Sequence, residues 1–242
     1  EQFRISHIWY IYNMRLNKFL AERIGISRRE ADDLIASGRV TVDGKIAEFG
    51  MQIDDNTKVL VDKKNVAFSH NYTYLILNKP RGYVSSRRRQ GDTPTLYELL
   101  PKNLQTLKTV GRLDKESSGL ILLTDDGDFA FRMTHPKFFK IKTYIVELDK
   151  PLAPLHQQMI SDIGITLPDG LSKLFITKLA DKNGEISGKR LQVEMSEGRN
   201  RQIRRTFAAL GYEVTDLDRI EFGHYKLGEL ERGKFEKVQK LI

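Results

Sequence analysis

A single carboxylate is the group in this sequence best placed to do chemistry. Asp114 lies in the stretch GRLDKESSGLILLTDDGD (residues 111–128), where Arg112 and Lys115 flank it and an apolar run follows from Leu120. Cations close to a carboxyl group favour its ionised form, which can act as a nucleophile or a base. The apolar run predicts a buried strand, so the acid would lie at the edge of a core, where clefts form. The alternative is a solvated turn residue.

Other kinds of catalytic chemistry lack their residues in this sequence. It contains no cysteine, so disulfides, thiol nucleophiles and thiolate metal sites are excluded. The five histidines do not have metal-ligand spacing. Glycine-rich phosphate loops, dinucleotide fingerprints and serine-nucleophile elbows are missing as well. We therefore expect chemistry without a metal or a cofactor, or a protein that is not an enzyme.

The charge distribution indicates a polyanionic partner. The net charge is +8, and residues 64–242 contain 30 basic and 22 acidic residues, whereas residues 14–63 contain nine of each. Such an excess of basic residues is typical of proteins that bind nucleic acid. No apolar run reaches the roughly 18 residues that a membrane span needs, so we expect no membrane partner. The lack of cysteine fits a reducing compartment, and we expect a cytoplasmic monomer.

The first part of the chain predicts a small module of helices and a hairpin. Residues 1–13 are interpreted as a leader or cloning remnant and are excluded from fold reasoning. Apolar residues at helical spacing predict a helix over residues 15–24, and Ser27 with Glu30 forms a capping-box pair that begins a second helix. The alternating stretch that follows turns at Asp43-Gly44, a typical hairpin dipeptide.

The rest of the chain predicts an α+β domain. Residues 62–72 are polar and irregular, and we interpret them as a linker between a domain over residues 14–61 and one over residues 73–242. In the second domain strands outnumber helices and do not alternate with them regularly. This order favours a mostly antiparallel or mixed sheet rather than a parallel one.

A predicted helix in NRQIRRTFAAL (residues 200–210) contains a second group of interest. Its buried stripe consists of Ile203, Phe207 and Leu210. Arg201 and Arg205 fall on the opposite side, towards solvent or phosphate, and Arg204 lies on the shoulder of the stripe. A half-buried arginine needs an anion, and Asp114 or another acid could supply it.

Tyr144 is a third candidate. In KTYIVEL (residues 142–148) the alternation places Lys142 and Tyr144 on one face, among apolar residues. A core tyrosine and an aromatic platform for a nucleobase are both compatible with that pattern, because single-stranded RNA is recognised largely by stacking.

Four stretches together resemble the signature sequences of ribosomal-RNA pseudouridine synthases of the RsuA-like branch. They are NKPRGYVSS, GRLDKESSGLILLTDDGD, KTYIV and EGRNRQIRR, and they occur in the family's order. Residues 15–61, which include RLNKFLAERIGISRREADDLIASGRVTVDGK, resemble the S-four-type RNA-binding module of that branch. Ser117-Ser118 stands where a threonine or a similar small residue is expected.

The resemblance implies a fold and an activity. The fold is a small helical and hairpin RNA-binding domain followed by a mostly antiparallel, mixed-sheet catalytic domain with a central cleft. The activity is isomerisation of a uridine to pseudouridine in ribosomal RNA or a pre-ribosomal particle, without cofactor or metal. The module and the EGRNRQIRR stretch favour large-subunit over small-subunit ribosomal RNA.

The resemblance also assigns roles to residues by position. Asp114 is the catalytic aspartate, Arg204 pairs with it, Tyr144 is the active-site tyrosine, and Arg112 helps to hold the target nucleotide out of the stack. The other expected substrate contacts are Lys79, Arg199, Arg201 and Arg205. The expected RNA contacts of the module are Arg15, Lys18, Arg28, Arg29 and Arg39.

Two other functions are compatible with the residues alone. One is a non-catalytic RNA-binding or ribosome-assembly protein that keeps the fold, although such a protein does not need Asp114, Tyr144 and Arg204 together. The other is a glycosidase, which needs a second carboxylate about 5–10 Å away. Glu116 is too close in sequence to be convincing as that partner.

Overall fold

The computed structural model of the protein describes residues 14–54, 56–67, 71–181 and 183–241. The chain divides into two compact units, Glu1–Tyr72 and Thr73–Ile242. The interpretation of residues 1–13 as a leader lies outside the described residues. Within the described ranges, no helix has the length and apolar character needed to cross a bilayer.

The N-terminal unit combines two helices with short strands. Its helices are α1 (Leu16–Arg23) and α2 (Arg28–Ala36). Its strands are β1 (Met14–Arg15), β2 (Val40–Val42), β3 (Lys45–Ile46), β4 (Gln52–Ile53), β5 (Val59–Val61) and β6 (Lys64–Asn65). Four of the strands form an antiparallel sheet in the order β3-β2-β5-β6, and β1 pairs with β4. Phe19, Leu20 and Ala31 join the two helices to the buried core of this unit.

Two local sequence signals in this unit are confirmed. The Glu30 amide donates to Ser27 Oγ at 3.1 Å and the Ser27 amide donates to Glu30 Oε2 at 2.6 Å, which is the capping box that begins α2. Asp43 and Gly44 join β2 to β3 with φ of 48° and 81°. That left-handed pair is the turn that suits the twist of a two-residue hairpin.

The predicted linker over residues 62–72 needs correction at its start. Residues Lys64–Asn65 form β6 and pair with Leu60 and Val61 of β5. Val66 is 7 % exposed and belongs to the core of the N-terminal unit. The polar composition of DKKNV (residues 62–66) does not predict a strand. Strand β6 forms because its main chain pairs with the edge of β5.

The C-terminal unit is built on a large sheet. Its strands are β7 (Tyr74–Lys79), β8 (Lys108–Val110), β9 (Ser118–Thr124), β10 (Lys142–Leu148), β11 (Ile165–Leu167), β12 (Gly170–Ser172), β13 (Phe175–Lys178), β14 (Arg190–Met195), β15 (Val214–Phe222), β16 (Tyr225–Lys226) and β17 (Phe235–Lys237). Its helices are α3 (Gly127–Thr134), α4 (Pro154–Gln158) and α5 (Gln202–Ala208). Single 3₁₀ turns cover Leu96–Leu99, Lys102–Leu104 and Pro136–Phe138, and a π-helical turn covers Met159–Ile163.

The sheet confirms the α+β, mostly antiparallel fold. Its nine strands follow the order β13-β14-β10-β15-β9-β7-β17, with β16 beside β15 and β8 beside β9. Among the described strands of this sheet, β9 and β15 run parallel and the other pairs run antiparallel. β9 is buried along its whole length, as its apolar sequence predicts. The GRLD loop therefore enters the sheet at its most buried strand.

Candidate active site

A cleft of about 820 Å³ lies in the C-terminal unit. The loop before β9, the beginning of β10, the loop before α5 and part of β15 line its walls. Five predicted site residues line this one cavity: Arg112, Asp114, Tyr144, Arg199 and Arg201. A volume of this size is sufficient for a nucleotide or a drug-sized ligand.

Asp114 is the acid of this cleft that has no partner. Its side chain is half-buried, and no hydrogen bond or ion pair from any described group reaches its carboxylate. The flanking cations do not hold it, in contrast to the expectation from sequence. Arg112 is exposed on the cleft wall, and the Lys115 ammonium donates to Thr93 Oγ1 at 3.1 Å. The carboxylate is therefore available to a ligand.

The main chain around Asp114 is held by a buried lysine. Lys79 is 0 % exposed, and its ammonium donates to the carbonyls of Pro80 at 3.0 Å, Asp114 at 3.0 Å and Ser117 at 2.6 Å. Burial lowers the pKa of Lys79 to about 8, and the nearby charges of Asp114 and Glu116 oppose that shift. The assignment of Lys79 as a substrate contact is therefore wrong, because its three protons are used to fix the loop.

Gly119 allows this loop to enter the sheet. It has φ of +102°, and it lies opposite Arg219 in the parallel pairing of β9 and β15. A Cβ at this position would lie 2.2 Å from the Arg219 carbonyl oxygen. The glycine in the SGL sequence is thus required by the close approach of the two strands that carry the cleft wall.

Tyr144 and two cations that were not assigned from the sequence form the floor of the cleft. Tyr144 is 7 % exposed, and its cross-strand neighbours are Val193 in β14 and Arg219 in β15. Arg219 is 2 % exposed and donates through Nε to the Leu120 carbonyl at 2.7 Å, while its Nη2 has no partner among the described residues. Arg219 is two residues after Leu217 in β15, and strand alternation therefore places both side chains on the same, buried face.

Lys142 is the second unassigned cation. Its ammonium donates to the Glu197 carbonyl at 2.7 Å and lies 5.3 Å from the centre of the Phe222 ring, which the guanidinium of Arg219 also approaches, at 4.9 Å. Burial, and after it the charge of Arg219, lowers the pKa of Lys142 to about 8. The floor of the cleft is therefore electropositive.

Helix α5 has the orientation expected from its apolar spacing. Ile203 and Phe207 are 4 % and 0 % exposed, and Leu210 packs against the same core. Arg204 is half-buried, as expected, but it does not pair with the Asp114 carboxylate. Its guanidinium donates to the carbonyls of Val214 at 2.6 Å and Glu116 at 3.2 Å. Burial, and after it the charges of neighbouring cations, lowers the pKa of Arg204. The hydrogen-bond acceptors of its guanidinium are main-chain carbonyls, which a sequence does not identify.

Two arginines expected to contact substrate are used within the protein. Arg199 donates to the carbonyls of Asp169, Gly170 and Leu171 at 2.8–3.0 Å. Arg205 forms a bidentate ion pair with the Asp169 carboxylate, with N···O distances of 2.9 and 2.7 Å. Both guanidinium groups hold the β11–β12 hairpin against the start of α5, and their role as substrate contacts stays a prediction.

Arg201 keeps an orientation compatible with its predicted role. It has φ of 48° and precedes α5, and its guanidinium pairs with Glu116 Oε2 at 3.1 Å while the side chain stays 44 % exposed. Arg201 and Arg112 are thus cleft-lining cations that solvent reaches. An exposed pair of this kind contributes little to stability and can exchange its acid for a phosphate.

The predicted RNA contacts of the N-terminal unit lie on its surface. Arg15, Arg28 and Arg29 are exposed, and Lys18 is half-buried on α1. Arg39 is exposed and donates from Nε to the Asp62 carboxylate at 2.8 Å. Within the described residues, no group of three or more histidine, aspartate or glutamate side chains converges as metal ligands do.

Comparison with known proteins agrees with this architecture. The family model for RNA pseudouridylate synthase matches residues 73–209, and the S4 domain model matches residues 14–59. The C-terminal unit, with its mixed sheet and its cleft around an aspartate loop, is that of an RNA-modifying isomerase. The chain belongs to the RNA pseudouridylate synthase family and contains an N-terminal S4 domain.

Curated relatives cover nearly the whole chain. A ribosomal small subunit pseudouridine synthase A of Haemophilus influenzae is 36 % identical over 95 % of this chain and 100 % of its own. A ribosomal large subunit pseudouridine synthase B of Bacillus subtilis is 34 % identical over 90 % and 89 %. A crystal structure of a pseudouridylate synthase superposes with a TM-score of 0.65 at 32 % identity, covering 93 % of this chain and 96 % of that one.

Proposed function

We propose that this protein isomerises a uridine of ribosomal RNA to pseudouridine, with Asp114 as the catalytic residue. The observation that carries the proposal is the Asp114 carboxylate, which has no partner among the described residues although its own main chain is clamped by Lys79. A positioned acid on the wall of a nucleotide-sized cleft fits a reaction in which one group acts directly on the substrate.

The chemistry needs no external reactant. The bond between N1 of uracil and C1′ of the ribose breaks, the base rotates, and C5 bonds to C1′. The proton leaves C5 and N1 gains one, so atoms and electrons balance within the nucleotide. Asp114 acts on the sugar, as a nucleophile at C1′ or as a base towards a ribose proton, and Tyr144 supports the detached base from the cleft floor.

The surroundings of the cleft fit an RNA substrate. The target nucleotide must leave its stack, at a cost of a few kcal/mol, and phosphate contacts offset that cost. Arg112, Lys137 and Arg201 are exposed cleft cations that can make those contacts. Arg204 positions the acid loop through the Glu116 carbonyl, two residues after Asp114.

Ribosomal RNA is the substrate class of the relatives, and the S4 domain supports RNA as the partner. The relatives are named for both ribosomal subunits, so the expectation of a large-subunit target stays a prediction. A binding-only role for the chain has less support, because the cleft keeps Asp114 and Tyr144 on its walls.

The test uses transcripts of large- and small-subunit ribosomal RNA tritiated at C5 of uracil. Since C5 loses its proton in the reaction, the protein should release tritium from one of the two transcripts and from that one alone. Mapping pseudouridine by carbodiimide blocking of reverse transcription, in cells with and without the protein, then locates the uridine. Absence of release from both transcripts and from assembled subunits would contradict the proposal.

A further inference from the structure

An exposed phenylalanine on the rim of the cleft has no structural explanation. Phe139 is 77 % exposed and lines the cleft that contains Asp114. It also has φ of 41° and ψ of 73°, a left-handed conformation that bulky side chains rarely adopt. An exposed aromatic ring in an unfavourable backbone conformation benefits neither the core nor the local chain, and such positions concentrate at functional sites.

Hydrogen bonds and ring contacts hold the main chain on both sides of Phe139. Phe131 packs against the rings of His135 at 4.7 Å and Phe138 at 5.8 Å, and this pocket of rings anchors the 3₁₀ turn Pro136–Phe138. The Phe139 amide donates to the Pro136 carbonyl at 3.3 Å. On the other side, the Ile141 carbonyl accepts from the Gly223 amide at 2.8 Å. Phe131 is also 47 % exposed, but its ring packs on its neighbours, whereas Phe139 is 77 % exposed and is the aromatic ring of this segment that lines the cleft.

The charge around the ring matches a polyanion. Residues 129–146 contain no acidic residue, and their four bases are Arg132, Lys137, Lys140 and Lys142. Lys137 and Lys142 also line the cleft. Proteins that bind single-stranded nucleic acid combine such cations, which contact phosphates, with aromatic rings on which bases stack.

We propose that Phe139 is a stacking platform for the nucleobase next to the target uridine, on single-stranded RNA that enters the cleft. A flipped uridine leaves its neighbour without a stacking partner on one side, and an exposed ring at the cleft rim replaces that partner. The inference rests on the proposed function, because it places the neighbouring base by reference to a uridine at Asp114.

The probe is a single-stranded RNA of about eleven nucleotides, with one uridine among adenosines and 2-aminopurine on its 5′ or its 3′ side. Stacking on an aromatic ring quenches 2-aminopurine fluorescence. Phe139→Leu is the test variant because it keeps the apolar size and the backbone strain but loses the aromatic face. Phe139→Trp restores an aromatic face, and Phe175→Leu changes a similarly exposed phenylalanine (69 %) on β13 that does not line the cleft.

With wild-type protein we expect quenching from one of the two label positions. Phe139→Leu should lose that quenching and bind the RNA about 5- to 50-fold more weakly. Phe139→Trp should match or exceed wild type, Phe175→Leu should match it, and all should melt within a few degrees of it. An abasic site at the labelled position should remove the difference between wild type and Phe139→Leu.

Equal affinity and equal quenching for wild type and Phe139→Leu would overturn the inference. A failure of the proposed function looks different, because the wild-type protein would then release no tritium from ribosomal RNA whatever residue occupies position 139. If Phe139→Leu binds RNA weakly and the wild-type protein releases no tritium, the stacking role of Phe139 is supported and the proposed activity is contradicted.

Discussion

Replacing Lys79 with methionine tests whether a buried cation positions the catalytic loop. Methionine has a similar length and shape, so the substitution removes the ammonium without opening a large cavity. Three carbonyl oxygens, of Pro80, Asp114 and Ser117, then lose their donor. Hydrogen bonds from a charged donor contribute about 1.5–3 kcal/mol each, so their loss costs roughly 5–9 kcal/mol.

The same substitution also removes an unfavourable buried charge. Burial lowers the pKa of Lys79 from 10.5 to about 8, so the charged ammonium destabilises the folded wild-type protein by about 3 kcal/mol near neutral pH. Lys79→Met is free of this destabilisation. The net result is a loss of about 2–6 kcal/mol in the free energy of unfolding, measured by urea denaturation. Since the clamp holds the Asp114 carbonyl itself, we also expect a fall in kcat of about 100-fold, the effect of a displacement near 1 Å.

Lys115→Met is the matched control for Lys79→Met. It makes the same chemical change one residue after Asp114, but the Lys115 side chain is exposed, and among the described residues its ammonium has a single hydrogen-bond partner, Thr93. Its stability should stay within about 0.5 kcal/mol of wild type, and tritium release should remain within a few-fold. If Lys79→Met behaves like Lys115→Met in both assays, the clamp is not what positions Asp114.

Two further predictions concern the strands around the cleft. Gly119→Ala should lower the free energy of unfolding by at least about 3 kcal/mol, because its Cβ would lie 2.2 Å from a carbonyl oxygen. Gly91→Ala is the control: it has open space around it and should lose only about 1 kcal/mol. Similar losses for the two variants in urea denaturation would contradict the close approach of β9 and β15. Lys79 and Lys142 have pKa values of about 8 in the folded protein, below their ordinary value of 10.5. Between these two pH values the unfolded chain binds more protons than the folded one. The free energy of unfolding should therefore rise as pH increases from about 8 towards 10. Lys142→Met should lose part of that rise, and an unchanged slope would refute the shift at Lys142.

Signals that act over a few residues predicted much of the fold. The capping box of α2, the Asp43-Gly44 hairpin, the buried strand after the GRLD loop and the apolar stripe of α5 all depend on neighbours within one or two turns. Their physical basis is local hydrogen bonding and periodic burial, which a sequence contains directly.

The errors concern partners that are distant in sequence. Lys79 and Arg204 donate to main-chain carbonyls, which carry no sequence signature. Arg199 and Arg205 contact a hairpin about 30 residues earlier. Charge type alone could not separate these structural arginines from Arg112 and Arg201, which stay open to solvent in the cleft. Arg219 was missed because a single buried cation in a strand resembles any other alternating residue.

The most direct test of the account is Asp114→Asn. The amide keeps the shape of the side chain but can act neither as a nucleophile nor as a base towards the ribose. Tritium release from C5-labelled ribosomal RNA should fall below detection, while affinity for the RNA and the melting temperature stay close to those of wild type, because the carboxylate makes no bond with any described residue. Tritium release at the wild-type rate by Asp114→Asn would contradict the central claim.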